Sequence, residues 1–340
     1  MKLSQTLRRL QWRARRVFAK PADNDPLVAV EVLTPAPPNA APKPAPKPSL
    51  RRLLARGAWL VAAFAVTLAV LVALYVWWVA QESRVTVRLD PPAHAEQTQG
   101  SAAVLAAAAL LGETEAPVDA LADQDMLLAP TSRRVREAWL NDGAADAIGR
   151  FIDQLQPRSG RREQTLIDAR FALAEGGPSG RAAARTALLQ FNDRLVRGAS
   201  RLDVSDAGHA AVLGAAADSL AAQSETLARV AARARFGPIA QEAERFFYRA
   251  RGAALGWRHA LLGWVQDAPP ASARARRAGA ALGLEALADA AAFQPTLLLN
   301  APTSSSFVPN HVSHLAMTIA LASRRLQVAG ALIPPAERPR

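Results

Sequence analysis

Residues 57–80 read GAWLVAAFAVTLAVLVALYVWWVA, twenty-four positions without one charged side chain. A helix rises about 1.5 Å per residue, so this run is long enough to cross the roughly 30 Å hydrocarbon core of a bilayer. A helix of a water-soluble protein rarely lacks a polar face over so many turns. A secretory signal has a shorter apolar stretch of roughly 7 to 15 residues and a small-residue cleavage site. Here the run begins after 56 residues, and Trp78 stands where the second small residue before a cut belongs. The stretch reads as a retained transmembrane helix. Tyr75, Trp77 and Trp78 gather at its far end, as interfacial aromatic residues do.

Charge gives the expected orientation. Arg51, Arg52 and Arg56 directly precede the run, with Lys43 and Lys47 upstream, whereas only Arg84 and Arg88 follow closely, near Glu82 and Asp90. Basic residues are retained on the cytoplasmic side, which places the N-terminus inside and the C-terminal portion outside. Heavy use of Ala and Arg, with no Lys after Lys47, suggests a GC-rich bacterial genome. The expected location is therefore the bacterial inner membrane, with the C-terminal domain in the periplasm. Of the net charge of +12, residues 1–56 carry +9, from twelve basic and three acidic side chains. The high pI belongs mainly to the cytoplasmic tail, and positive-inside bias accounts for it without nucleic acid.

Within that tail, residues 1–20 form a basic amphipathic segment. Leu3, Leu7, Leu10, Val17 and Phe18 share one helical face, and Arg9, Arg13, Arg16 and Lys20 the opposite one. That pattern suits the surface of an anionic leaflet, so membrane lipids are expected partners. Residues 21–56 form a linker whose stretch 33–48 holds seven prolines and reads as an extended spacer.

Beyond the anchor, residues 81–100 read as a linker, with Val85-Thr86-Val87 as a short extended piece. Residues 101–333 show helical periodicity, and 334–340 form a tail. Helices are predicted over about 101–111, 131–156, 161–175, 180–197, 203–235, 238–266, 271–292 and 310–333, with a turn at Asn141-Asp142-Gly143 inside the second. The fold class is all-α: one transmembrane helix followed by a multi-helix periplasmic array or bundle. Trp139, Phe151, Phe191, Phe246, Trp257 and Trp264 are expected to carry most of the burial, because alanine makes thin cores.

The chemistry is narrowed by elimination. The chain has no cysteine, which removes disulfides, thiolate metal sites and thiol nucleophiles. The absence of Lys beyond Lys47 removes amine nucleophiles from the outer portion. No phosphate-binding glycine loop, GxSxG elbow or HExxH zinc motif is present. No cofactor, metal or catalytic residue is predicted.

Two places remain. The first is the polar loop FQPTLLLNAPTSSSFVPNHVSH, residues 293–314, with Asn300, Ser304, Ser305, Ser306, Asn310, His311 and His314. Asn310 reads as the cap of the last helix, and the serines as turn residues. His311 and His314 lie three apart, so a metal site is the sharper alternative, with a third ligand from His94, His259 or a carboxylate. The second place is Glu244, Arg245, Tyr248, Arg249 and Arg251, a helix face that reads as solvated or, with Tyr248 and Arg249, as an interaction patch. Ala65, Ala69 and Ala73 in the anchor permit close helix pairing and a homodimer.

Three stretches carry a family resemblance: FNDRLVRGASRLDVSDAGHAAVLGAAADSLAAQS (191–224), ERFFYRARGAALGW (244–257) and FQPTLLLNAPTSSSFVPNHVSHLAMTIALASRRL (293–326). With its LNxxxxxxxxPNH layout, residues 80–330 resemble the uncharacterised bacterial inner-membrane proteins filed as domain of unknown function 2333. The resemblance implies a single-pass protein with an outer helical domain and transfers no catalytic role to any residue. The expected function is a non-enzymatic interaction or scaffold module of the cell envelope, with a protein partner in the periplasm. A periplasmic hydrolase, metal-dependent or otherwise, built on the 300–314 loop is the alternative.

Overall fold

The computed structural model describes residues 50–82, 84–90, 100–114, 133–233, 241–268, 270–295, 298–302 and 309–332. Every regular element among them is helical. In chain order these are α1 (Leu50–Glu82), α2 (Ala102–Glu113), α3 (Arg133–Leu155), α4 (Gln164–Glu175), α5 (Gly177–Val196), α6 (Asp206–Ala232), α7 (Gln241–Gln266), α8 (Pro270–Ala292) and α9 (His311–Ala331). A 3-10 turn, Gln156–Ser159, follows α3. The chain divides into two compact units, residues 1–62 and 63–340, and the division falls inside α1.

In the first unit the described residues are the opening turns of α1, where Trp59, Leu60 and Val61 are exposed. Across both units α1 contains one stretch, Ala58–Trp78, long and apolar enough to cross a membrane; its mean hydropathy is 2.5 and no residue in it is buried. An exposed apolar helix of that length requires a bilayer or a protein cover.

In the second unit α7 is the hub, packing against α2, α3, α6, α8 and α9. The reason lies in its sequence. Ala243, Phe247, Ala250, Ala254, Trp257, Leu261 and Trp264 recur at spacings of three and four, and Gly252, Gly256 and Gly263 between them leave room for neighbouring backbones. Fully buried Phe151 of α3 meets the Trp257 and Trp264 rings edge-on, at centroid separations of 6.5 and 6.3 Å. Such T-shaped contacts suit the ring quadrupoles. Phe247 takes the fully buried place predicted for Phe246, which is half-buried, as is Trp139.

Asn141-Asp142-Gly143 does not turn the chain. α3 runs through it unbroken. Gly143 lies against the Arg249 carbonyl, and Gly252 against that of Leu140. A Cβ at Gly256 would stand 2.7 Å from the Ala144 oxygen. These glycines let the α3 and α7 backbones touch, so the tripeptide that reads as a turn signal is a close-approach site.

The termini follow local chemistry. Ser101 caps α2, accepting from Val104 N–H at 3.3 Å, and Ser205 caps α6 through Gly208 N–H at 3.2 Å. Asp267, just after α7, accepts from Ala102 N–H (2.6 Å), Ala103 N–H (3.1 Å) and Ser101 Oγ (2.6 Å), tying the two helix ends together. Burial pushes the Asp267 carboxyl up despite those bonds. Gly176 and Gly177, both in the left-handed region at φ 75° and 68°, separate α4 from α5 as their sequence predicts.

Candidate functional site

α7 buries charge as well as hydrocarbon. Glu244 and Arg251, one helical face apart by seven residues, are 0% and 1% exposed. Glu244 Oε1 receives the Arg136 guanidinium of α3 at 2.6 Å. Arg251 donates through Nε and Nη2 to the Ala291 carbonyl, at 3.1 and 2.9 Å. That carbonyl belongs to the last turn of α8, where intrahelical donors have run out and the dipole is negative. Between the two arginines stands Tyr248, its ring 5.6 Å from the Arg136 guanidinium carbon and 5.5 Å from that of Arg251. Burial raises the Tyr248 hydroxyl above its ordinary value and lowers Arg251 to about 10, so at neutral pH the phenol is neutral and the arginine charged.

This placement changes the reading of the α7 face. Tyr248 is 4% exposed and Glu244 fully buried, so neither lies on a solvated or docking surface. Helical spacing alone does not tell a solvated charged face from one that is covered and internally paired. Arg249 remains at the surface, paired with Asp146 of α3.

An aromatic path joins the α7 cluster to the 293–314 loop. Tyr248 meets Phe247 at 5.5 Å, Phe247 meets Phe293 at 5.9 Å, and Phe293 meets His314 and His311 at 4.6 and 6.0 Å. Thus the two places singled out in the sequence are neighbours. The loop closes by an antiparallel bridge between Asn300 and Asn310. Asn310 caps α9, accepting from Ser313 N–H at 2.8 Å and donating to the Ala301 carbonyl at 2.5 Å. His311 accepts at Nδ1 from Leu299 N–H at 2.9 Å, and its backbone N–H donates to the Leu299 carbonyl at 2.9 Å. Burial, then His314, lowers the His311 pKa. Asn300 is buried, and its Oδ1 finds no partner among the described residues. Ser304, Ser305 and Ser306 lie outside the described residues, as do Arg9, Arg13, Arg16 and Lys20.

Of the third ligands named for a metal, His94 lies outside the described residues. His259, named as a third ligand, is fully buried on α7 and bonded elsewhere. Among the described residues no three His, Asp or Glu side chains converge. Among the described groups of this loop, Asn300, Asn310 and His311 close the loop and start α9.

His259 belongs to a second arrangement that spacing did not reveal. Residues 84–90 follow α1 as an extended strap in which Val85 is buried, Thr86 exposed, Val87 half-buried and Arg88 exposed. Side chains of α7 and of the segment just after α8 hold it in place of a partner strand. With its amide oriented to satisfy both groups, Gln294 donates to the Val85 carbonyl and accepts from Val85 N–H, each at 2.7 Å. His259 Nε2 donates to the Arg88 carbonyl at 3.1 Å, which fixes the tautomer, since a carbonyl only accepts. Arg258 donates to the Leu89 carbonyl and, at 3.0 Å, to Asp90. Residues 85–90, just after α1, are thereby part of the folded domain.

A shallow groove of about 410 Å³ opens between α3 and α4, floored by Ile152, Leu166, Ile167 and Phe171. Its one charged pair, Asp153 with Arg170 at 3.0 and 3.1 Å, is self-satisfied at the rim. Comparison with known family models, curated proteins and solved structures finds no match to this chain. Function is accordingly read from the residues themselves.

Proposed function

We propose that this chain is a single-pass inner-membrane protein whose helical domain stands in the periplasm as a non-enzymatic interaction module of the envelope. The observation that carries this reading is the Ala58–Trp78 stretch, uniformly apolar and wholly unburied. The basic cluster before it and the near-neutral sequence after it support the orientation. The strap supports the architecture, since a domain gripped seven to ten residues past the anchor is held close to the bilayer surface. Buried polar side chains of α7 and of the 300–314 loop serve packing and capping, which favours a binding role over hydrolysis. The resemblance of residues 80–330 to the domain of unknown function 2333 proteins points to the same single-pass plan.

Reporter fusions test the reading. Alkaline phosphatase joined after Leu332 is expected to be active, and green fluorescent protein at the same junction dark. Inactive phosphatase with a bright fluorescent fusion would reverse the topology and remove the periplasmic role. Crosslinking of the full chain in cells is expected to recover a discrete envelope partner beyond a second copy of itself.

A further inference from the structure

Two turns of the domain pack on each other and concentrate positive charge. Gly160 closes the 3-10 turn after α3, and Gly198 follows α5, at φ 70° and 66°. A Cβ on either would meet nothing within 4 Å, so both turns stand in open space. Asp203 N–H donates to the Arg158 carbonyl at 2.8 Å, which joins the two segments. Between them, residues 158–163 and 193–203 carry Arg158, Arg161, Arg162, Arg194, Arg197 and Arg201 against Glu163, Asp193 and Asp203.

That excess has an organised centre. Glu163 is 2% exposed. Its Oε1 receives Arg161 Nε at 2.6 Å and Ser200 Oγ at 2.8 Å, and its Oε2 lies 3.3 Å from Arg194 Nε. Both arginines also donate to the Ser200 hydroxyl, Arg194 Nε at 3.2 Å and Arg161 Nη2 at 3.5 Å. The two guanidinium groups are therefore neighbours, and Arg161 is fixed further by the Ala199 carbonyl. Desolvation raises the Glu163 pKa, but the bonds from Arg161 and Ser200 and the charges of both arginines outweigh it and hold the carboxyl below its ordinary value. One ionised carboxylate thus serves two guanidinium charges. The side chains of Arg161 and Arg194 are still 53% and 37% exposed. Among the described residues no hydrogen bond occupies Arg161 Nη1 or either Nη nitrogen of Arg194.

A guanidinium pair that shares one carboxylate keeps an uncompensated charge and a set of oriented donors. Planar forks of this kind bind phosphate oxygens through paired N–H···O bonds. A tetrahedral phosphate can engage both forks at once, whereas a planar carboxylate fills one. α4 begins at the next residue, and its N-cap Glu163 makes no side-chain cap bond, so the positive end of the α4 dipole adds to the same field.

We infer that Arg161 and Arg194, held side by side on Glu163, form a binding site for a phosphate group, with Arg162, Arg197 and Arg201 supplying positive field around it. The assignment goes beyond the scaffold reading and does not rest on it. The site belongs to the folded domain on whichever side of the membrane that domain stands.

Titration calorimetry on the full chain in a neutral detergent tests it, with inorganic pyrophosphate as probe and succinate at matched ionic strength as the carboxylate control. Pyrophosphate is expected to bind saturably and at least about tenfold more tightly than succinate. Arg194→Gln leaves Arg161 and Ser200 on the Glu163 carboxylate and is expected to weaken pyrophosphate at least about tenfold. Arg161→Gln reads the same contact from the other side, should either variant fail to fold. Arg233→Gln, at the opposite end of α6 from Ser205, removes the same net charge and is expected to change affinity less than about twofold. Circular dichroism verifies the fold of each variant. Glycerophosphoglycerol, the headgroup of an anionic lipid, is titrated in parallel. Tighter binding than pyrophosphate supports the site with lipid as its source, and weaker binding supports it with free phosphate. Absence of saturable pyrophosphate binding would overturn the inference. So would equal affinity for succinate, or a loss in Arg233→Gln as large as in Arg194→Gln, which would show diffuse charge alone.

Discussion

Glu244 shows how much a single side chain in this domain can cost. It is fully buried and receives Arg136 at 2.6 Å, so Glu244→Ala leaves a mostly buried guanidinium without its carboxylate. Breaking one side of a buried pair typically costs about 3–5 kcal/mol, whereas replacing both sides with apolar groups is far milder. Urea unfolding of the full chain in detergent is expected to show that loss for Glu244→Ala, and recovery of most of it when Arg136→Met is combined with Glu244→Leu. His209 makes a pH-dependent counterpart. It is fully buried, stacked on Trp264 at 6.3 Å, and neither ring nitrogen has a partner among the described residues. Burial, then the nearby Arg276, lowers its pKa from 6.5 to about 4, against the pull of Asp206. The folded state thus favours neutral imidazole, and the unfolded chain takes up the proton first as pH falls below 6.5. Stability present above that pH drains away between 6.5 and about 4. From pH 7 to pH 5 the wild type is expected to lose about 2 kcal/mol more than His209→Phe, measured by urea midpoints at the two pH values. Equal losses would contradict the assignment.

At the scale of elements, the α3–α7 crossing is set by small residues. Gly252→Ala drives a methyl group into the Leu140 carbonyl, and overpacking of that kind costs about 1–3 kcal/mol. Gly214→Ala, on α6 with open space around it, is expected to stabilise by up to about 1 kcal/mol. Thermal melts of the two variants should move in opposite directions. The same crossing shows what the sequence could convey. Helix existence, the Gly176-Gly177-Pro178 break and the Asn310 cap were legible because each depends on local backbone chemistry. Asn141-Asp142-Gly143 misled because its glycine answers to a neighbour a hundred residues away. The strap was half legible. Alternation at Val85-Thr86-Val87 announced extended backbone, but Gln294 and His259 had no spacing to betray them, and an isolated His on an apolar helix reads equally as core or ligand. In the candidate site, Tyr248 and Glu244 stand at positions that the sequence pattern could not tell from a solvated face. Gln294→Ala is expected to speed hydrogen exchange at the Val85 amide at least about tenfold, which mass spectrometry of the full chain would read, while the α7 amides stay protected.

At the scale of the molecule, the account joins an unburied apolar helix to a helical domain that grips the residues just after it. The anchor is expected to stay in the membrane through alkaline carbonate washing and to keep an N-terminal tag at full chain length. Loss of that tag on maturation would show a cleaved leader. The most direct measurement uses the absence of cysteine. Ser4→Cys and Asp218→Cys, one on each side of the apolar run, are treated with a membrane-impermeant maleimide in intact spheroplasts and again after lysis. The account predicts that Asp218→Cys labels fully before lysis and Ser4→Cys only after it; Asp218→Cys protected until lysis, with Ser4→Cys labelled at once, would contradict it.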